Sequence, residues 1–498
     1  MRDAGGYRVR GLLKTIDWSL VICWITLILI GWANIYASIQ ASEPASIFDF
    51  SCRSGKQFVW ILTAIGIAIL ILFIIPPRIY ESASLPIYGF VIMLLIAVIF
   101  LGIEVKGSRS WFGFGPVRFQ PAEVSKISTS LLLATVMSQL GYKIGRTKDF
   151  IITAAIILVP MMIIIGQSET GSALVYVGFI FMLYREGLSG WLIALIGLAI
   201  LLFILTLTAS PFVACLVLIS IASLCICLYS GRFIWWLMIC VPAIVLFAFI
   251  PSILEALSPV GELTEAGEAV IEEAGFISKI KPLYLLLGVT GIAAPFVAFQ
   301  AFRERNMFTH LALLSVIGGI ILVFSVDFIF NDVLQDHQRK RIEVLLGMKE
   351  DPSGVGYNVN QSMIAIGSGG LTGKGYMNGT QTTFGFVPEQ STDFIFCTIG
   401  EEWGFLGTAS VILLYVFLIW KIIKNAERSR EGFTRIYGYC VACCIFMHLF
   451  INIGMTIGIM PVIGIPLPFV SYGGSSLWGF TALLFIFIAL NRNERKYF

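Results

Sequence analysis

The chain has 498 residues, 58% of them hydrophobic and only 13% charged, with a net charge of +3. A soluble domain carries about 25% charged residues, so a mean hydropathy of +0.90 excludes an ordinary soluble fold and points to many transmembrane helices. The small net charge argues against nucleic acid as a partner. Cys215, Cys225, Cys227, Cys240, Cys440, Cys443 and Cys444 lie in apolar runs. They read as small hydrophobes rather than a disulfide framework, and no cysteine pair stands beside histidine at zinc-ligand spacing.

In chain order, Arg2, Arg8, Arg10 and Lys14 precede an apolar run too long for a signal-peptide core, which reads as a retained first span. A bilayer core of about 30 Å needs around 20 apolar residues per helix. Such runs fall at 17–38, 57–76, 85–103, 122–141, 150–166, 171–184, 191–208, 213–229, 233–251, 283–301, 311–330, 402–421, 436–458 and 475–491. The expected fold is therefore all-α, a polytopic bundle of about 14 spans. Loop charge orients it. With the amino terminus in the cytoplasm, every cytoplasmic connection is basic, from Arg78 through Lys143, Arg146, Arg185, Arg232, Arg303 and Lys424 to Arg492 and Arg495. The carboxyl terminus is then cytoplasmic too.

Two connections fall outside the membrane in this topology. The segment 252–282 is acidic, with Glu255, Glu262, Glu265, Glu268, Glu272 and Glu273. It reads either as a solvated connector or, over 262–276, as a short amphipathic helix. The segment 331–392 is long, polar and glycine-rich, and loops of that length are usually functional or disordered. It keeps apolar residues and little low complexity, which favours function.

That segment opens with a basic cluster, Arg339, Lys340 and Arg341, which suits either phosphate binding or a snorkelling helix end. Asp351-Pro352-Ser353-Gly354-Val355-Gly356 follows, where Asp351 either caps a turn or serves as a general base. Gln361 leads into Ile366-Gly367-Ser368-Gly369-Gly370-Leu371-Thr372-Gly373-Lys374-Gly375. The spacing is not that of a phosphate loop. These glycines suit a backbone turning tightly against helices or a lipid headgroup. Glu389, Thr392 and Asp393 then lead into a span that carries Glu401 and Glu402; Thr392 or Asp393 can equally cap that helix.

Elsewhere, the polar loop 104–121 holds Arg109, Trp111, Arg118 and Gln120. It runs into a span where Glu123 and Lys126 share one helix face, as a structural pair or as the lining of a polar cavity. Gln167, Glu169, Thr170, His448 and Asn452, with the stretch Pro461 to Ser476 including Ser471 and Ser475, complete the polar set. No GxSxG or HExxH motif is present. A carboxylate, several cations and a lipid-accessible cavity fit group transfer from a lipid pyrophosphate, and fit transport of such a lipid almost as well.

Arg109-Ser110-Trp111, Phe119-Gln120-Pro121-Ala122-Glu123-Val124-Ser125-Lys126, Asp351-Pro352 with Gly354, Gly356 and Tyr357, Pro388-Glu389 with Thr392-Asp393-Phe394, and Ser471-Tyr472-Gly473-Gly474-Ser475-Ser476 occur in this order. Together they resemble the SEDS family (shape, elongation, division and sporulation proteins), over about 1–185 and 303–498. Gly464 to Val470 and Ile366 to Gly370 resemble its elongation branch more than its division branch.

The resemblance implies a peptidoglycan glycosyltransferase that polymerises lipid II outside the bacterial cytoplasmic membrane during elongation. Asp351 is then the catalytic base. Arg109, Lys126 and Arg339 offset charge on the departing undecaprenyl pyrophosphate. Trp111, Gln120, Glu123, Gln361, Glu389, Thr392, Asp393, Ser471 and Ser475 complete the substrate site. A divalent cation, Mg or Mn, can share the charge near Asp351 or Glu389. The implied partners are a class B penicillin-binding protein, other elongation-complex proteins and membrane lipids.

The chain departs from the family pattern at Ser391, where His is common, and at Glu169, where Asp is common. It also adds about four spans over 191–301 to a core of ten. The expected organisation is 1–185, an inserted 186–302, and 303–498. A lipid II flippase and a non-enzymatic scaffold are the competing readings.

Overall fold

The computed structural model describes residues 15–39, 46–105, 108–115, 117–229, 233–257, 281–304, 307–333, 339, 343, 356–460 and 462–495. Asp351 and 262–276 therefore lie outside the described residues. The chain divides into two compact units, Met1–Leu188 with Glu350–Phe498, and Ser189–Lys349.

The first unit opens with α1 (Trp18–Ile39) and α2 (Arg53–Ile74), which closes on a wide π turn. Then come α3 (Arg78–Ser82) and α4 (Ser84–Leu101). The next connection is not the plain loop expected but a three-stranded antiparallel meander, β1 (Ile103–Val105), β2 (Ser108–Phe114) and β3 (Val117–Phe119). Its register pairs Ile103 with Trp111 and Phe112 with Phe119. The unit continues with α5 (Pro121–Met137), α6 (Thr147–Gly166), α7 (Thr170–Leu174) and α8 (Phe179–Arg185). The second unit comprises α9 (Gly190–Thr208), α10 (Pro211–Tyr229), α11 (Phe233–Leu257), α12 (Pro282–Glu304) and α13 (Met307–Phe328). The first unit resumes with α14 (Tyr357–Ser368), α15 (Thr380–Thr383), α16 (Ile395–Arg428), α17 (Gly432–Thr456) and α18 (Gly474–Arg495).

Among the described residues, 12 helices are long and apolar enough to cross a membrane, against the expected 14 or so. The two runs that differ are 122–141 and 171–184. The first became α5, 17 residues carrying Glu123, Ser125, Lys126, Ser128, Thr129 and Ser130, all buried. A helix enclosed by other helices never meets lipid and so tolerates a polar composition that a lipid-facing span cannot. The second, Thr170–Arg185, breaks into two α-turn segments joined by a 3-10 turn, Val175–Gly178. The buried centre of this unit is α17 and α18, 83% and 78% buried, whereas α4 is 22% buried.

One element departs from regular helix in a way that positions the polar end. α16 breaks at Gly404, which adopts φ 65° and ψ −160°. A break orphans carbonyls on one side and amides on the other. Segment 370–375 satisfies both: Lys374 N and Gly375 N donate to Glu401 O and Glu402 O, and Phe405 N and Leu406 N donate to Gly370 O and Leu371 O. Only glycine fits here. A Cβ on Gly369 would lie 2.0 Å from Gly400 O, and one on Gly373 would lie 2.1 Å from Glu402 O.

Candidate functional site

The polar groups of the first unit gather where α5, α16, α17 and α18 meet the segments 389–393 and 462–473. Asn452, near the end of α17, donates from Nδ2 to Asp393 O at 2.8 Å and to Ile465 O at 2.7 Å. Ser471 Oγ donates to Thr392 O at 2.6 Å, and Tyr472 N donates to Ser391 O at 2.9 Å. These bonds hold 389–393 and 465–472 together as one unit. Glu389 sits in it at φ 53°, a conformation uncommon without glycine, and accepts from Thr392 Oγ1 at 3.1 Å. From α2, Arg53 donates to Ser391 Oγ at 2.7 Å and Gln57 Oε1 accepts from Gly473 N at 3.3 Å. Ser475 is buried in the first turn of α18.

One turn deeper on α17, His448 reaches a buried ion pair. Lys126 Nζ lies 2.8 Å from Glu123 Oε1, 2.9 Å from His448 Nε2 and 4.8 Å over the Phe480 ring. His448 Nδ1 faces Pro466 O at 3.1 Å. An ammonium can only donate and a carbonyl can only accept. The imidazole is therefore neutral, protonated at Nδ1 and accepting at Nε2. Glu123, Lys126 and His448 are each at most 3% exposed, and Glu123 Oε2 has no hydrogen-bond partner. Breaking such a buried pair leaves an uncompensated charge, so Lys126 acts here as an internal tie rather than a cation free to meet substrate.

A second cluster lies at the entry to α5. Glu169 Oε2 accepts from Ser108 Oγ at 2.7 Å and Ser110 Oγ at 2.9 Å, and Oε1 accepts from Gln120 Nε2 at 3.2 Å. Strand alternation then turns Arg109 to the opposite face of β2, where it is exposed and 3.5 Å from Glu104. Trp111 is half-buried on the same strand.

A third cluster binds the glycine-rich segment to α16. The buried Glu401 carboxylate accepts from Lys374 Nζ at 2.7 Å and from the amides of Gln381 and Thr382 at 2.9 Å each, at the start of α15. Tyr376 OH donates to Ala33 O at 2.8 Å; burial, with the neighbouring Glu402 charge, pushes this phenol up to about 12, so it stays a donor. Gln361 is half-buried on α14 beside Ser362, whose hydroxyl donates to Thr456 O. In the second unit, Arg339 pairs with Glu343 at 3.2 Å and stacks 5.1 Å over Phe330. Among the described residues, no three His, Cys, Asp or Glu side chains gather as a metal-holding group.

Of the residues expected from the sequence, Glu389, Thr392, Asp393 and Ser471 share the first cluster, Glu123 and Lys126 pair with each other deeper in the bundle, Gln120 lies in the second cluster and Ser475 opens α18. Arg53 and Gln57 in the first cluster and Lys374 in the third were not anticipated. Arg53 and Gln57, with Lys56 between them, open an otherwise apolar span, and only these charges at its start hinted at a role.

These features define a polytopic helical membrane protein with polar segments stitched over one end of a buried ionic core. The family model described as cell cycle protein (FtsW, RodA, SpoVE) matches residues 17–218 and 286–496. The chain belongs to that family, the SEDS family of the motif resemblance. It is 28% identical over 492 residues to peptidoglycan glycosyltransferase RodA of Treponema pallidum, covering 98% of this chain and 100% of the relative. It is 29% identical over 466 residues to peptidoglycan glycosyltransferase MrdB of Escherichia coli K12, covering 93% and 92%. Two solved structures share the fold. One, from work on the coordination of polymerization and crosslinking by a peptidoglycan synthase complex, has a TM-score of 0.56 at 21% identity, covering 96% of this chain and 98% of that one. The other is a mutant of the Thermus thermophilus rod shape determining protein RodA, with a TM-score of 0.50 at 20% identity, covering 96% and 98%.

The stretch the family model leaves unmatched, 219–285, is shorter than the expected insertion 191–301. It leaves α10 after Leu218 and re-enters α12 at Leu286, which amounts to two spans.

Proposed function

We propose that the chain is a peptidoglycan glycosyltransferase that polymerises lipid II during cell elongation. The observation that carries this reading is end-to-end similarity to relatives named for that activity. In the reaction, the acceptor's 4-hydroxyl oxygen attacks the donor's anomeric carbon. Asp351 takes the hydroxyl proton, the new glycosidic bond forms, and the bond to pyrophosphate breaks. Undecaprenyl pyrophosphate leaves with the electron pair. Arg109, exposed on β2, is the cation assigned to offset that charge. Segment 389–393, held by Asn452, Ser471 and Arg53, forms a wall of the site. A class B penicillin-binding protein supplies cross-linking. Both termini are cytoplasmic, and 331–392 is extracytoplasmic. If a divalent cation takes part, Asp351 and Glu389 are the groups proposed to hold it.

A second reading, a lipid II transporter, draws on two features: the helix break at Gly404 and the charges buried in the bundle. One experiment separates the two. The chain, purified with its penicillin-binding partner in detergent, receives labelled lipid II. Detergent abolishes sidedness, so a transporter yields no glycan strands while a polymerase does. Asp351→Ala is expected to lower the rate by about 10²–10⁴-fold, the worth of a general base. Normal polymerisation by this variant removes Asp351 from the mechanism.

A further inference from the structure

An apolar groove of about 340 Å³ runs along the first unit between α1, α2 and α18. Its walls include Trp18, Val21 and Ile28 of α1, Ile61 and Phe73 of α2, and Phe485 of α18. The lining on α2 runs from Ile61 to Phe73, and at 1.5 Å per residue the groove is about 18 Å long. That is close to one leaflet, half of a hydrocarbon core of about 30 Å. Its length suits one extended acyl chain, and its lining includes the exposed apolar side chains Ile25, Leu29, Ile65 and Ile69.

At the Trp18 and Phe73 end lies an unexplained charge. Arg492 is 5% exposed, and its Nε and Nη1 have no hydrogen-bond partner. Its guanidinium stands 5.7 Å over the ring of Phe73, itself a wall of the groove. Arg492 also lies seven residues beyond Phe485, two turns along one face of α18. A buried guanidinium with unmade hydrogen bonds is costly, and the planar Nε and Nη edge matches two oxygens of a phosphate. The cationic head and the leaflet-long apolar groove are separate observations that point to one ligand.

We infer that Arg492 and the α1–α2–α18 groove form a binding site for an anionic phospholipid, with one acyl chain between the helices and its phosphate on the guanidinium. In the proposed topology this lipid belongs to the cytoplasmic leaflet, opposite the glycosyl-transfer site. Its occupancy is independent of the catalytic reading.

The full chain in vesicles of phosphatidylethanolamine with a minority of phosphatidylglycerol is extracted in mild detergent, and the retained lipid is counted by native mass spectrometry. The wild type is expected to keep phosphatidylglycerol in preference to phosphatidylethanolamine. Arg492→Gln should retain about ten-fold less, the loss of a charge-assisted hydrogen bond. Ile65→Trp fills the groove while leaving the guanidinium intact, and should release the lipid as well. If Arg492→Gln is not recovered as a monodisperse protein, Ile65→Trp decides alone. Wild-type retention in either folded variant overturns the site. So does a wild type that keeps no lipid, or keeps the zwitterionic lipid equally well.

Discussion

His448 shows how much one side chain can constrain. Its two ring nitrogens meet a group that can only donate and a group that can only accept, so its tautomer follows from its neighbours. The chain has three histidines, so ¹⁵N-histidine spectra are expected to contain a neutral imidazole protonated at Nδ1 that vanishes in His448→Gln. His448→Phe preserves the ring against Phe480 but strips an acceptor from Lys126. Losing a hydrogen bond to a buried charge costs about 1.5–3 kcal/mol, seen as a lower Tm in detergent. His448→Gln offers both a carbonyl and an NH₂, and should recover most of that loss. Equal Tm values for the Phe and Gln variants would show that the bond to Lys126 contributes nothing. Four residues apart, His448 and Asn452 lie on one face of a helix. The sequence held no sign that one reaches a cation on α5 and the other two carbonyls, because those partners lie 322, 59 and 13 residues away.

At the scale of elements, composition made the apolar spans legible because lipid demands it. The signal weakens where a segment is shielded from lipid: α5 is nearly all buried and carries seven polar or charged residues in its 17, and Thr170–Arg185 is broken. The meander at 103–119 escaped because its strands are as short as three residues, too short for a clear alternation. The glycine-rich segment was read as backbone turning tightly against helices, and Gly369 and Gly373 do press against α16. Gly373→Ala is the sharp test of that contact. Gly373 has φ 80° and no room for a Cβ. The conformation alone costs about 1–3 kcal/mol in other residues, before the clash with Glu402 O. The expected result is rapid proteolytic cleavage within 369–386 and a lower Tm; protection equal to wild type would show that the segment does not depend on this contact.

At the scale of the molecule, the two units have separate cores. One core draws on α1, α2, α5, α6, α16, α17 and α18, and the other on Leu202, Ala214, Cys215, Leu218, Leu286 and Val323 within α9–α13. The polar site described above belongs to the first. Deleting 219–285, the stretch outside the family match, removes the equivalent of two spans and so preserves sidedness. The shortened chain is expected to insert with both termini facing the cytoplasm, as read by protease accessibility of terminal tags in sealed vesicles. Termini on opposite sides would mean that the stretch contributes an odd number of spans.

The break in α16 bears on how the protein is made. Residues 370–375 leave the ribosome before Phe405 and Leu406, yet the amides of that later helix find their acceptors only on those earlier residues. A newly inserted α16 thus enters the bilayer with its helix unfinished, and segment 370–375 must fold back before the span is complete. Membrane insertion and the folding of that segment become a single event. A chain stalled between them would present an open helix end to the quality-control proteases of the membrane.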